Sequence, residues 1–281
     1  MIEFQDVSAA YEVETPAVRH ASLSIADGEF VAFVGSNGAG KSTMMRLANN
    51  LLAPTSGRVL IDGVPTSELK ASQLARHVGF LFQNPDRQIC CDTIREELEF
   101  GFRVQGRLDA RTAELVNQTI SRFGFDPDAE PYLLNRGTRQ LLALASVIVG
   151  EPTTLILDEP TTGLDYLECC EVMDVVADLN QRGTTVLMVC HDMELIADYA
   201  KRLIVMTAGQ IIADGPTFDI LRDADVCARG DLEPPQVVAI SQRLAAENPE
   251  LAGTPLAQAN TLDQMLAAID SVRNSEKGEL R

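Results

Sequence analysis

A chain of 281 residues, 46% of them hydrophobic, can bury a sizeable core and form one large domain with an appendage or two domains. Its formal net charge of −18 argues against broad adhesion to nucleic acid, which depends on clustered Lys and Arg. Residues 1–6 show no basic stretch ahead of an apolar one, and runs such as 141–149 fall far short of the roughly 20 residues of a membrane-spanning helix, so a soluble chain is expected.

Residues 2–4 and 18–25 alternate apolar and polar, the pattern of half-buried antiparallel strands, and Tyr11 is expected on their connection. An aromatic there suits either plain packing or stacking on a nucleotide base, the latter worth about 1–3 kcal/mol. The apolar run Phe30-Val31-Ala32-Phe33-Val34 then leads into Gly35-Ser36-Asn37-Gly38-Ala39-Gly40-Lys41-Ser42-Thr43, which fits G-x-x-x-x-G-K-[ST]. A buried strand, a glycine-rich turn and a helix point backbone N–H groups and a helix N-terminus at one place, which suits a polyphosphate. Gly35, Gly38 and Gly40 allow positive φ or close approach of backbone to phosphate, Lys41 supplies a cation to the β/γ-phosphates and Ser42 a hydroxyl to Mg²⁺.

A helix is expected over 43–52, stopped by Pro54, followed by a strand over 57–64 with an Asp62-Gly63 turn. A further strand over 78–83 carries Gln83 at its end. From 84 to 149 the strand pattern stops and helices are expected over 93–101, 110–123 and 139–149, a helical insertion in an α/β core. Asp92, Glu96, Glu97 and Glu99 make its first helix acidic, a charge run for which a solvated face is the plain reading.

The sheet resumes with Leu155-Ile156-Leu157, which ends in Asp158-Glu159-Pro160. Ligand sites of open α/β sheets gather at the carboxyl ends of strands, so Asp158 is placed to hold Mg²⁺ and Glu159 to orient or deprotonate a water. The strand over 184–190 brings His191 to the same edge, as a phosphate contact or as a structural residue. A helix over 193–200 and strands over 203–206 and 210–214 follow. Beyond 215 come helical segments broken by Pro234-Pro235, Pro249 and Pro255, and Leu262, Met265, Leu266 and Ile269 share one helical face after a capping Thr261. The six cysteines include the adjacent pairs Cys90-Cys91 and Cys169-Cys170 with no C-x-x-C spacing, which points to reduced thiols rather than a disulfide framework or zinc cluster.

Taken in order, Tyr11, the 35–43 loop, Gln83, 155–159, Gly163-Leu164-Asp165 and His191 resemble the ATP-binding cassette (ABC) ATPases over residues 1–215. The resemblance implies an α/β P-loop NTPase core of RecA-like type with an antiparallel β subdomain, a helical subdomain over about 84–149 and a small C-terminal helical appendage over 216–281. It implies ATP and Mg²⁺ as cofactors, with Tyr11 stacking on adenine, the 35–43 loop holding phosphates, and Ser42, Gln83 and Asp158 at the metal. Glu159 is implied as general base, His191 as a γ-phosphate contact and Asp165 as a residue that crosses a dimer interface.

Phe82-Gln83-Asn84-Pro85-Asp86-Arg87-Gln88 and Pro234-Pro235-Gln236-Val237 leading to Gln242-Arg243-Leu244 are similar to the energy-coupling factor group, importers of vitamins and transition-metal ions. That likeness implies a second ABC ATPase subunit, a transmembrane scaffold subunit with basic coupling helices and a membrane substrate-binding subunit, at the cytoplasmic face of the cell membrane, with no nucleic-acid partner. The signature, Leu-Ser-Gly-Gly-Gln in the family, reads Leu134-Asn135-Arg136-Gly137-Thr138 in this chain. Asn135, Arg136 and Gly137 would face the nucleotide of the opposite subunit. Arg136 stands where backbone must approach phosphate, either weakening that site or adding a cation to it, and a non-identical second cassette is expected. The alternatives are the ATPase of a conventional importer or exporter, a non-transport nucleic-acid or translation factor, and a nucleotide-binding regulator that does not hydrolyse.

Overall fold

The computed structural model describes residues 1–12 and 15–279, with side chains over 1–11 and 16–271. The N-terminal strands β1 (Ile2–Glu12) and β2 (Thr15–Ile25) pair antiparallel and are longer than their alternation indicated. Tyr11 therefore lies within the last residues of β1 rather than on a connection. With β4 (Ser56–Ile61) and β5 (Val64–Pro65), which are joined through Asp62 and Gly63 at φ 50° and 79°, they form a sheet of order β2-β1-β4-β5.

The second sheet has order β10-β9-β3-β8-β7-β6 and is built on β3 (Phe30–Val34). Strands β6 (Val78–Leu81), β7 (Thr154–Asp158), β8 (Thr185–Val189) and β9 (Arg202–Thr207) run parallel with β3, and β10 (Gln210–Pro216) closes the edge antiparallel. These strands read as continuous apolar runs because both faces are covered. Val31 and Phe33, with Ile156, Leu187 and Ile204, pack toward the antiparallel sheet and helix α1 (Lys41–Ala48), while Phe30, Ala32 and Val34 join Leu155, Leu157, Val186 and Leu203 on the other face.

Helix α1 ends four residues before the expected Leu52, because Asn50 turns left-handed at φ 50° and the chain folds back on Arg46. A seven-residue helix α2 (Ala71–His77), for which the sequence offers only Leu74 as a buried position, precedes β6. Between β6 and β7 the chain is helical: α3 (Ile94–Val104), α4 (Ala110–Phe123) and α5 (Arg136–Ile148), packed on one another through Leu98, Phe102, Val116 and Leu142. The acidic face expected on α3 needs correction, since Glu97 is buried and its Oε2 accepts the backbone N–H groups of Cys90 and Cys91 at 2.9 and 3.0 Å. A 16-residue helix α6 (Tyr166–Gln181), not anticipated, connects β7 to β8, and α7 (Met193–Tyr199) connects β8 to β9.

After β10 the chain forms α8 (Thr217–Arg222), α9 (Ala224–Gly230), α10 (Gln236–Glu247), α11 (Pro255–Gln258) and α12 (Leu262–Glu279). The shared apolar face of α12 is mostly open: Met265 is buried, but Leu262, Leu266 and Ile269 are exposed, and Ala268 takes the second inward position. A single guanidinium ties these helices together, with Arg222 donating to Ser241 Oγ, Asn260 Oδ1 and the carbonyls of Ala257 and Ala259 at 2.6–3.2 Å. Replacing Arg222 with Ala orphans those acceptors, and a loss of about 2–4 kcal/mol is expected, read as faster proteolysis within residues 236–261.

Candidate functional site: a phosphate loop facing strand-end carboxylates

The register places the strand ends in line. Asp158 at the end of β7 pairs with Val189 of β8, and Phe33 of β3 pairs with the same Val189, so the loops after β3, β7 and β8 leave from one edge. Gln83 follows β6 by two residues, because the strand closes at Leu81, and it still reaches that edge.

The glycine loop is shaped by backbone that only glycine tolerates at two points. Gly35 has φ 132° and a Cβ there would collide with the Met206 carbonyl oxygen; Gly40 has φ 103° and a Cβ would meet the Ala17 carbonyl oxygen. Lys41 is buried and donates to the carbonyls of Gly35 and Ser36 at 2.7 and 3.0 Å, so the cation sits inside the loop's own curve. Burial pushes its pKa down, while Glu159 and Asp158 act in the opposite direction.

Ser42 Oγ donates to Asp158 Oδ1 at 2.8 Å. The Asp158 carboxyl is pushed up, first by burial and further by the Glu159 charge, with the Ser42 hydrogen bond opposing. A buried carboxylate that meets a hydroxyl and faces a second carboxylate is an all-oxygen donor set of the kind that suits a hard divalent cation. Because its pKa is raised, ionising Asp158 costs folding free energy above that pKa. Asp158→Asn is therefore expected to raise Tm of the nucleotide-free protein, by about 2–4 °C per kcal/mol relieved in a chain of this size.

Glu159 is the hub. It takes a left-handed φ of 52°, a strained conformation for a residue with a side chain, and is held by its N–H on the Val189 carbonyl at 2.9 Å. Its Oε2 accepts from Gln83 Nε2 at 2.6 Å and from Thr162 Oγ1 at 3.0 Å, and its Oε1 lies 3.2 Å from His191 Nε2. Tyr11 is exposed at the mouth; its hydroxyl accepts from Arg46 at 2.8 Å and lies 3.4 Å from Thr43 Oγ1. A cavity of about 280 Å³ is lined by Tyr11, Ala17, residues 37–43, Glu159 and His191.

Three side chains were not anticipated. Thr162 sits one tight turn after Glu159, Arg46 lies one helical turn after Ser42, and Ala17 closes the cavity from β2. Only their spacing from Glu159 and Ser42 could have suggested the first two.

The signature residues and Asp165 are not in this cavity. Asn135 caps α5 by accepting from Thr138 N at 2.7 Å, and Asp165 caps α6 by accepting from Glu168 N at 2.9 Å. Gly137 is buried where a Cβ would strike the Glu168 carboxylate. The Arg136 guanidinium donates to the Thr162 carbonyl at 2.7 Å and lies against Gly163 of its own chain.

Parallel strands with a phosphate loop after β3 and carboxylates after β7 define a P-loop ATPase of the ABC cassette fold. The chain belongs to the ABC transporter ATP-binding proteins and, among them, to the energy-coupling factor group: the ABC transporter family model matches residues 18–162. It is 37% identical over 287 residues to an energy-coupling factor transporter ATP-binding protein, EcfA2, of Symbiobacterium thermophilum, covering 99% of this chain and 98% of that one. It is 36% identical over 248 residues to EcfA of Methanothermobacter thermautotrophicus, covering 87% of this chain and 80% of the relative. Other relatives are longer, and the chain spans 43% of a putative ABC transporter ATP-binding protein of Caldanaerobacter subterraneus at 38% identity. Among solved structures, cbiO1 of Clostridium perfringens, described as part of the ABC transporter complex cbiONQ, superposes with a TM-score of 0.72 at 27% identity, covering 89% of this chain and 96% of that one.

Proposed function

We propose that this chain is a motor subunit of an energy-coupling factor importer for a vitamin or metal ion, working in a dimer with a second, non-identical cassette. Its place is the cytoplasmic face of the membrane, beneath a transmembrane scaffold and beside a membrane substrate-binding subunit, with no nucleic-acid partner. The observation that carries this reading is the convergence of Lys41, Ser42, Gln83, Asp158, Glu159 and His191 on one sheet edge beside the glycine loop.

In this reading Tyr11 stacks on adenine and the backbone of residues 35–43 wraps the phosphates, with Lys41 turning from the Gly35 and Ser36 carbonyls to the β/γ-phosphates. Ser42 and Asp158, with Gln83, hold Mg²⁺, which when bound neutralises charge on the transferring phosphoryl group. Glu159 takes the proton of the attacking water, oriented for that by Gln83 and Thr162. His191 reaches the γ-phosphate from beside Glu159.

The second cassette is supported by the exposed apolar side chains of Leu133, Tyr166 and Leu167, 73%, 76% and 71% accessible, which flank the signature and Asp165. The scaffold is supported by Phe100 and Val104, exposed a helical turn apart on α3, and by exposed Phe82 beside Gln83. In the dimer Asn135, Arg136 and Gly137 face the partner's nucleotide and Asp165 crosses the interface. With Arg136 committed to Thr162, this chain's signature serves its partner's site poorly, and the competent site is its own, completed by a standard signature.

The test is reconstitution with a second cassette and scaffold. Hydrolysis is expected only with both cassettes and to stop on chelation of Mg²⁺. Arg136→Gly is expected to add turnover at the partner's site; unchanged total turnover in that variant removes the case for asymmetry.

A further inference from the structure

Residues 90 and 91 are adjacent and lie seven and six residues before 97, with no metal-binding spacing, yet the fold gathers their ligand atoms. The loop after β6 is pinned by Gln88, which donates to the Ala143 carbonyl at 2.8 Å and accepts from Phe82 N at 3.2 Å, and Cys90 and Cys91, two and three residues on, meet Glu97 of α3. There Cys90 Sγ, Cys91 Sγ and a Glu97 carboxylate oxygen all lie within 4.8 Å of one another. We propose that Cys90, Cys91 and Glu97 form a binding site for a thiophilic divalent cation, of which Zn²⁺ is the representative.

Two features distinguish this group from a chance meeting of side chains. First, Glu97 is 4% exposed and its Oε2 is fixed by two successive backbone N–H groups, those of the two cysteines, which orients the carboxylate before any cation arrives. The ligands are then two sulfurs and one oxygen, with a fourth position open to solvent or to an incoming ligand, as borderline-soft cations accept. Second, the thiols open on a cavity of about 350 Å³ that also contains Arg139, whose Nε is the one buried side-chain polar atom without a partner among the described residues. Arg139 is paired with Asp86 of the same cavity, Nη1 to Oδ1 at 3.3 Å, so its Nε–H is the donor left over to face what the cavity holds.

Binding exchanges protons for metal: each cysteine that ligates releases its S–H proton to solvent as the cation–sulfur bond forms. The site lies seven to eight residues beyond Gln83, on the loop that carries Gln83 to Glu159, and is separate from the phosphate cavity.

The experiment uses the full chain, reduced with a phosphine and free of nucleotide and Mg²⁺. Zn²⁺ is titrated against a chromophoric chelator, and Co²⁺ is then used as a spectroscopic probe. One Zn²⁺ per chain is expected, together with a near-ultraviolet thiolate-to-cobalt band. Cys90→Ser and Cys91→Ser are each expected to weaken binding by at least about tenfold, and the double variant to abolish both signals. Cys169→Ser with Cys170→Ser should leave them unchanged. Binding that survives the Cys90/Cys91 double variant, binding that follows Cys169 and Cys170, or a cobalt complex with no thiolate band would overturn the assignment. Should Glu97→Gln not fold, the variants at exposed Cys90 and half-buried Cys91 still decide it.

Discussion

Glu159→Gln is expected to lower steady-state ATP hydrolysis of the assembled dimer by ~10²–10⁴-fold, the usual worth of a positioned general base, while MgATP still binds. The isosteric amide keeps the shape that Gln83 and Thr162 grip at 2.6 and 3.0 Å but has no carboxylate to take a proton. Two readouts separate chemistry from binding: single-turnover hydrolysis, which should collapse, and equilibrium nucleotide binding, which should hold. Turnover within about threefold of the unmodified protein would move the base elsewhere and leave Gln83 and Thr162 with no water-activating group to orient. Thr162→Val provides a graded companion to this result, since it removes one donor to Oε2 and leaves the carboxylate.

The second large effect belongs to Gly35. Gly35→Ala must place a methyl group against the Met206 carbonyl of β9 at a φ of 132°, so strain and overpacking add, and a loss of about 3–5 kcal/mol is expected together with loss of nucleotide affinity. Gly38 is the internal control. It also has positive φ, 78°, but no atom lies within 4 Å of its absent Cβ, so Gly38→Ala should cost only the left-handed penalty of about 1–2 kcal/mol. Thermal unfolding and nucleotide titration of the two variants side by side provide the answer; equal losses would mean that the packing of β3 against β9 does not set the loop.

What could be read in advance depended on how many atoms a feature needs. The parallel strands announced themselves because burial on both faces leaves nothing polar in Phe30–Val34 and only the two end residues polar in Thr154–Asp158. The polar residue after each such run then had to stand at the sheet edge. Helix α6 was not legible because it opens with exposed Tyr166 and Leu167 and buries only Val172, Met173 and Val176, so its apolar residues do not keep one stripe. The exposed stripe on α12 has the opposite cause: a regular period predicts an apolar face but not what covers it. The acidic cluster of α3 could not reveal that Glu97 turns inward, since that depends on two backbone N–H groups from the preceding loop. Likewise Arg136 was visible as a departure, but its target, the Thr162 carbonyl, is 26 residues away and found only by the packing of α5 beside the segment after β7.

That packing has a mechanical result. Gln140 Nε2 donates to the Pro160 carbonyl at 2.8 Å, Arg136 grips Thr162, and Thr162 Oγ1 in turn reaches Glu159. The front of α5 and the few residues behind Glu159 therefore behave as a crank and its connecting rod. If the helical region swings against the sheet, either these three bonds break or the Glu159 carboxylate is dragged with them, so a tilt made many residues away would move the carboxylate relative to the glycine loop.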